Sequence, residues 1–208
     1  MMQEQLKLIV AGHVGAGKTT FIRSISEIDA VDTDVKSSEN IGKELTTVAM
    51  DYGILTLDGI PLHIYGTPGQ DRFDFMWEVL CTGALGLVLL VRGDSIAEFS
   101  KSRNILDFIT SRINVPFLIG VTRYDLPECW DLMAIADFFG LEPWQIIGLD
   151  ARDTDSCLEV IGYMLELVVE TNSYYEEGEE ALEEAEEEEA LDYQAGVQPD
   201  SETNYYKY

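Results

Sequence analysis

Basic residues are scarce in this chain. It carries 13 lysines and arginines against 39 aspartates and glutamates, a formal net charge of −26 over 208 residues. A surface this acidic repels nucleic-acid backbone and anionic membrane faces, so neither is an expected partner. Cysteine is scarce too. Cys81, Cys129 and Cys157 are odd in number and far apart, which excludes a disulfide framework and zinc-site spacing and fits free thiols in a reducing compartment. No apolar run approaches the ~20 residues of a membrane span, and the apolar part of MMQEQLKLIVAG is too short for a signal peptide. Position 2 is not glycine, and the final residues YYKY hold no cysteine, so neither a myristoyl nor a prenyl anchor is expected. The expectation is a cytoplasmic protein without a stable membrane anchor.

What is present is a regular alternation. Hydrophobic residues make up 46% of the chain, enough for one core of ordinary size. Leu6–Ala11 reads as a buried strand and Thr19 to about Ser26 as a helix. Residues 29–45 are polar and aperiodic, a long loop. Met50–Leu57 and Ile60–Tyr65 read as strands joined by Asp58-Gly59, a two-residue hairpin signal. Leu87–Val91, Pro116–Val121 and Trp144–Leu149 are further strands; Ile96–Ile113, Trp130–Phe139 and Ser156–Val169 are helical in period. The order β-α-β-β-α-β-α-β-α-β-α predicts an α/β fold: six strands, mostly parallel with one antiparallel edge strand, and helices on both faces. Ligands of such sheets sit at the C-terminal ends of the strands. Beyond residue 172 the composition changes. Residues 173–208 hold 13 acids and one base, Lys207, which predicts a solvated tail after a domain spanning 1–172.

After the first strand, Gly12-His13-Val14-Gly15-Ala16-Gly17-Lys18-Thr19 matches the phosphate-binding pattern G-x-x-x-x-G-K-[ST], in the strand–loop–helix context the motif requires. Its glycines let backbone N–H groups approach phosphate oxygens, and the helix N-terminus adds a favourable dipole. Nucleotide contact is expected from Gly12, His13, Val14, Gly15, Ala16, Gly17, Lys18, Thr19 and Thr20. Lys18 brings a positive charge to the β/γ-phosphates, and Thr19 offers a hydroxyl to Mg²⁺. The side chains of His13 and His63 are assigned no role of their own.

Gly66-Thr67-Pro68-Gly69-Gln70-Asp71-Arg72-Phe73 resembles the second switch segment of Ras-like GTPases, commonly D-T-A-G-Q-E. Thr122-Arg123-Tyr124-Asp125 stands where that family has N-K-x-D, and Asp150-Ala151-Arg152 where it has S-A-K. Each follows a predicted strand, and the resemblance covers residues about 6–170. It implies a Ras-like G domain binding GTP/GDP with Mg²⁺, hydrolysing GTP slowly and acting as a molecular switch. It further implies that Gly69 contacts the γ-phosphate, Gln70 orients the attacking water beside Lys18 as the other catalytic group, and Thr46 or Thr47, with Thr47 favoured, reaches Mg²⁺ and the γ-phosphate. At the base, Asp125 would accept from the guanine ring N–H and amine, Arg123 would lie over the ring, and Thr122, Ala151 and Arg152 would complete the subsite. The pattern is similar to bacterial Mgl-type GTPases of gliding motility, which implies a roadblock/LC7-type regulatory partner.

The sequence departs from the family where the Mg²⁺-holding aspartate of the second switch should be: the residue is Gly66. A two-residue turn at Asp58-Gly59 pairs Leu57 with Ile60, and the same register puts Asp51 opposite Gly66. Opposed residues project to one face, roughly 5 Å apart, so Asp51 is a candidate for the vacated metal position. Thr122 in place of Asn and Gly66 in place of Asp also leave open a GTP-binding scaffold with little hydrolysis. A small-molecule kinase is less well matched, because the seven arginines form no cluster for a phosphate-clamping lid.

Overall fold

The computed structural model describes residues 6–29, 33–35, 48–68, 82–112 and 114–171. The strands among them are β1 (Leu6–Ala11), β2 (Thr33–Val35), β3 (Val48–Met50), β4 (Tyr52–Leu57), β5 (Ile60–Gly66), β6 (Gly86–Arg92), β7 (Phe117–Thr122) and β8 (Ile146–Leu149). The helices are α1 (Lys18–Ile25), α2 (Ile96–Thr110), α3 (Leu132–Phe139) and α4, residues 154–171. The sheet lies within the unit Met1–Val168. Six strands form that sheet in the order β4-β5-β1-β6-β7-β8. All neighbours are parallel except β4, which lies antiparallel to β5 at the edge. This is a P-loop NTPase α/β fold. Among the described residues no helix is long and apolar enough to cross a membrane.

Why the sheet is covered on both sides follows from the sequence of its central strands. Strand residues alternate between faces. Leu8, Val10, Val88 and Leu90 therefore meet α1 and α4, through Phe21, Ile22, Val160, Ile161 and Met164. Ile9, Ala11, Leu87, Leu89 and Val91 meet α2 and α3, through Phe99, Ile105, Ile135 and Phe139. A strand buried on both faces needs an unbroken apolar run, which is what LVLLV supplies in β6. Each large apolar side chain buried this way contributes about 1.5–3 kcal/mol. The doubly wound order collects the loops after β1, β5, β6, β7 and β8 at one edge of the sheet.

Strand β1 has its expected bounds, and the hairpin is as expected. Asp58 and Gly59 both take positive φ, 48° and 83°, the turn that matches the strands' twist. Four expectations are corrected. The strand Met50–Leu57 is two strands, with a change of partner at Asp51: Val48–Met50 pairs with Thr33–Val35 and Tyr52–Leu57 with β5. Strand propensity runs on through VAMDYGILTL, so the sequence does not mark that change. The same ladder places a short strand inside the loop expected over 29–45. Helix α3 starts at Leu132 rather than Trp130, because the Asp131 carboxylate caps it by accepting the N–H groups of Met133 and Ala134. Strand β8 starts at Ile146 rather than Trp144, because Pro143 opens a 3₁₀ turn over Pro143–Gln145. Thr46, Thr47, Gly69, Gln70, Asp71, Arg72, Phe73 and the acidic segment 173–208 lie outside the described residues.

Candidate functional site

Close approach of the backbone shapes the phosphate loop. A Cβ on Gly12 would stand 2.5 Å from the Leu90 carbonyl oxygen, and its φ of 148° is itself unfavourable to side chains. Gly17 takes a left-handed conformation as the N-cap of α1, with no side-chain cap and no acidic residue in the first turn. The first N–H groups of α1 are thus left without a side-chain acceptor, and the helix dipole favours an anion there. Lys18 is buried beneath the loop. Its ammonium donates to the carbonyl oxygens of Gly12 (2.7 Å) and His13 (3.0 Å). Burial pushes it down to about 8, and the Asp51 carboxylate opposes that shift.

Asp51 lies where the hairpin register predicts. β4 and β5 pair from Leu57↔Ile60 to Tyr52↔Tyr65, and the Gly66 N–H donates to the Asp51 carbonyl oxygen at 2.7 Å. A Cβ on Gly66 would come within 2.9 Å of the Asp51 Cβ and 3.3 Å of its Oδ2. The Asp51 side chain therefore occupies the space that a side chain at position 66 would need. The Thr19 hydroxyl donates to Asp51 Oδ2 at 2.7 Å. A hydroxyl whose hydrogen goes to a carboxylate keeps its lone pairs free for a cation. No group of three or more His, Cys, Asp or Glu able to hold a metal occurs among the described residues. Mg²⁺ beside phosphates asks for less, one or two carboxylates with phosphate oxygens and water. The oxygen donors of Thr19 and Asp51 fit that need.

A cleft of about 510 Å³ runs from the loop to the ends of β7 and β8. Gly15 through Thr20 line one end; Thr122, Arg123, Asp125, Leu126, Asp150, Ala151 and Arg152 line the other. Thr122 is 2% exposed, and its hydroxyl is directed to the carbonyl oxygens of Ala16 (3.0 Å) and Val91 (3.3 Å). It ties β7 to the phosphate loop rather than presenting its hydroxyl to the cleft. Arg123 is left-handed, φ 64°, and donates to Asp94 Oδ2 at 2.9 Å. Asp94 also accepts from Arg92 at 3.0 Å through each oxygen. The Arg92 hydrogen bonds hold its carboxyl below the usual range against the opposing effect of burial, with Arg123 adding to them. The Tyr124 ring lies over Gly148, where a side chain would collide with it. Arg152 reaches both Asp125 (2.8 Å) and Asp150 (2.7 Å). Ala151 is held by Ser24, whose hydroxyl donates to its carbonyl oxygen at 2.7 Å.

The fold thus brings together Gly12, Gly15–Thr20, Asp51, Thr122, Arg123, Asp125, Ala151 and Arg152. Among the described residues the His13 ring hydrogen-bonds the neighbouring Val14 carbonyl oxygen at 3.1 Å, and Val14 is exposed. Thr47, Gly69 and Gln70 are outside the described residues. Asp94, Leu126 and Ser24 were missed by sequence reasoning. Asp94 had a usable signal, since it follows the C-terminal end of a central strand; Ser24 had none, because its partner is remote in sequence.

Known proteins bear on this geometry. The model of a family described as conserved hypothetical ATP binding protein matches residues 29–167, a span that begins after the phosphate loop. An uncharacterized protein of Methanocaldococcus jannaschii is 32% identical over 130 residues, 62% of this chain and 76% of the relative. ADP-ribosylation factor-like protein 8c of Arabidopsis thaliana is 28% identical over 143 residues, 67% of this chain and 72% of the relative.

Proposed function

This chain belongs to the family of conserved hypothetical ATP-binding proteins, and for its nucleotide cleft we propose that it binds GTP and GDP, hydrolyses GTP to GDP and phosphate, and works as a nucleotide-dependent switch. The observation that carries the reading is a cleft with a phosphate loop at one end and the Asp125 carboxylate at the other. Guanine offers a ring N–H and an exocyclic amine to one carboxylate; adenine has no such pair of donors. Mg²⁺, held by Thr19 with Asp51 beside it, would neutralise charge on the phosphates. Lys18 supplies a fixed cation to the same oxygens, Gln70 is the residue to orient water, and Thr47 is the candidate to close over the γ-phosphate.

The family description favours a second reading, an adenine nucleotide in the same cleft. The two separate cleanly by measurement. Nucleotide extracted from the purified protein is identified, and GDP and ADP are then titrated against the nucleotide-free form. Two hydrogen bonds to a carboxylate, at about 1.5–3 kcal/mol each, predict GDP binding at least about a hundredfold tighter. Equal affinities would overturn the guanine reading. Turnover near 10⁻⁴ to 10⁻² per second is expected without an activator. No turnover even with activating partners present would leave a GTP-binding scaffold instead. The resemblance to Mgl-type GTPases makes a roadblock/LC7-domain protein the first partner to add to that assay.

A further inference from the structure

The base end of the cleft contains two carboxylates and one cation that spans them. Arg152 Nη2 donates to Asp125 Oδ2 at 2.8 Å and to Asp150 Oδ2 at 2.7 Å. Its Nε donates to Asp150 Oδ1 at 2.9 Å, and so does its own backbone N–H, also at 2.9 Å. Both carboxylates lie within one hydrogen bond of a single nitrogen, so they are separated by no more than two such bonds. Like charges this close oppose each other unless a cation bridges them. A planar guanidinium does so with fixed geometry, where an ammonium would act as a point charge.

The two carboxylates are not held alike. The Asp150 loop is fixed independently of Asp125. The Asp150 N–H donates to Ser156 Oγ, its carbonyl oxygen accepts from the Asp153 N–H, and the next carbonyl, of Ala151, accepts from Ser24 Oγ. Arg152 is gripped by that loop through three hydrogen bonds, one from its backbone and two from its side chain. Its remaining hydrogen bond reaches across to Asp125, whose carboxylate has Arg152 as its side-chain partner among the described residues. An isolated exposed ion pair contributes little to stability. Here the pair instead joins the Asp125 carboxylate to a second loop that is held in place by its own hydrogen bonds.

We propose that Arg152 is a specificity-determining, positioning residue, which aims Asp125 at the purine and keeps Asp125 and Asp150 from repelling each other, without itself touching the ring. This rests on the guanine reading above. It predicts that purine discrimination depends on Arg152, and that the dependence weakens when Asp150 loses its charge.

The test compares dissociation constants for GDP, IDP and ADP across the full-length parent, Arg152→Gln, Arg152→Lys and Asp150→Ser/Arg152→Gln. Inosine lacks the exocyclic amine, so the GDP-to-IDP ratio reports whether Asp125 is aimed to accept from it. Arg152→Gln should weaken GDP about tenfold, weaken IDP less because hypoxanthine keeps the ring N–H but not the amine, and change ADP no more than about twofold, and so narrow the GDP-to-IDP ratio. Arg152→Lys should restore part of the affinity but not the full ratio. Asp150→Ser/Arg152→Gln should recover much of the lost GDP affinity by removing the opposing charge. Two results would overturn the inference alone: an Arg152→Gln protein with the parent's GDP affinity and ratio, or an equal loss for all three nucleotides with no recovery in the double variant. A parent that binds ADP as well as GDP overturns the guanine reading and this inference with it.

Discussion

Replacing Asp51 with alanine tests the metal half of the site. The Thr19 hydroxyl gives its hydrogen to Asp51 Oδ2 at 2.7 Å, a charge-assisted bond of about 1.5–3 kcal/mol. At about 1.4 kcal/mol per decade, losing it corresponds to about 10- to 100-fold in Mg²⁺ affinity, the same range seen when a residue that orients a metal ligand is removed. Without Asp51, the Thr19 hydroxyl loses the acceptor that turns its lone pairs toward a cation. Release of a fluorescent GDP analogue, followed while Mg²⁺ is titrated, should quicken in Asp51→Ala at low Mg²⁺ and return to the parent rate at high Mg²⁺. Asp51→Asn, which keeps an acceptor but not the charge, should fall between. The geometry also dictates which second change rescues. A Cβ at position 66 would sit 2.9 Å from the Asp51 Cβ and 3.0 Å from Ile22 Cδ1. Alanine at 51 keeps that Cβ, so Gly66→Asp fits only when Asp51 becomes glycine. Asp51→Gly/Gly66→Asp should recover part of the Mg²⁺ affinity. Gly66→Asp in the parent should crowd the site and cost about 1–3 kcal/mol of stability. An Asp51→Ala titration that overlays the parent would refute the reasoning and leave Asp51 an ordinary strand-end residue.

Asp125→Asn should lose GDP affinity and gain affinity for xanthosine diphosphate, whose additional keto oxygen can accept from the amide; competition binding reads the exchange, and an unchanged preference counts against the base assignment. Thr122→Val removes the donor to the Ala16 carbonyl oxygen and leaves that acceptor unpaired. It should cost about 1–3 kcal/mol, seen in chemical denaturation, together with faster GDP release. Burial pushes the Cys157 thiol up to about 12, so its labelling by a thiol reagent should show no rise through pH 8–10, checked by mass mapping of its peptide. Unfolding releases that proton between the ordinary value of 9.0 and about 12, so stability should fall with pH across this window, and Cys157→Ala should flatten the slope. Gln70→Leu should leave GTP affinity near the parent's while lowering single-turnover hydrolysis; hydrolysis at the parent rate with an activator present would remove Gln70 from the water-positioning role.

The local elements and the phosphate loop were legible in the sequence because their causes are local. A six-residue strand apolar at all but Lys7, a Gly-rich turn and a lysine opening a helix determine one another through backbone sterics and period, and β1 has its expected bounds. The hairpin register was legible for the same reason. A two-residue turn leaves one pairing, so counting back from Leu57↔Ile60 was enough to set Asp51 against Gly66. What the alternation could not reveal was the change of partner at Asp51, since strand propensity does not record which strand lies alongside. Only the tertiary structure decided the contacts that depend on side-chain reach between distant loops. Thr122 was expected at the base, yet its hydroxyl turns to the phosphate loop. Asp94, twenty-nine positions from Arg123, became its anchor because β6 and β7 lie side by side. Arg152 joins Asp125 to Asp150 because β7 and β8 are neighbours. Spacing along the chain carries the backbone's instructions; the pairing of charges across a cleft exists only once the sheet has set its strand order.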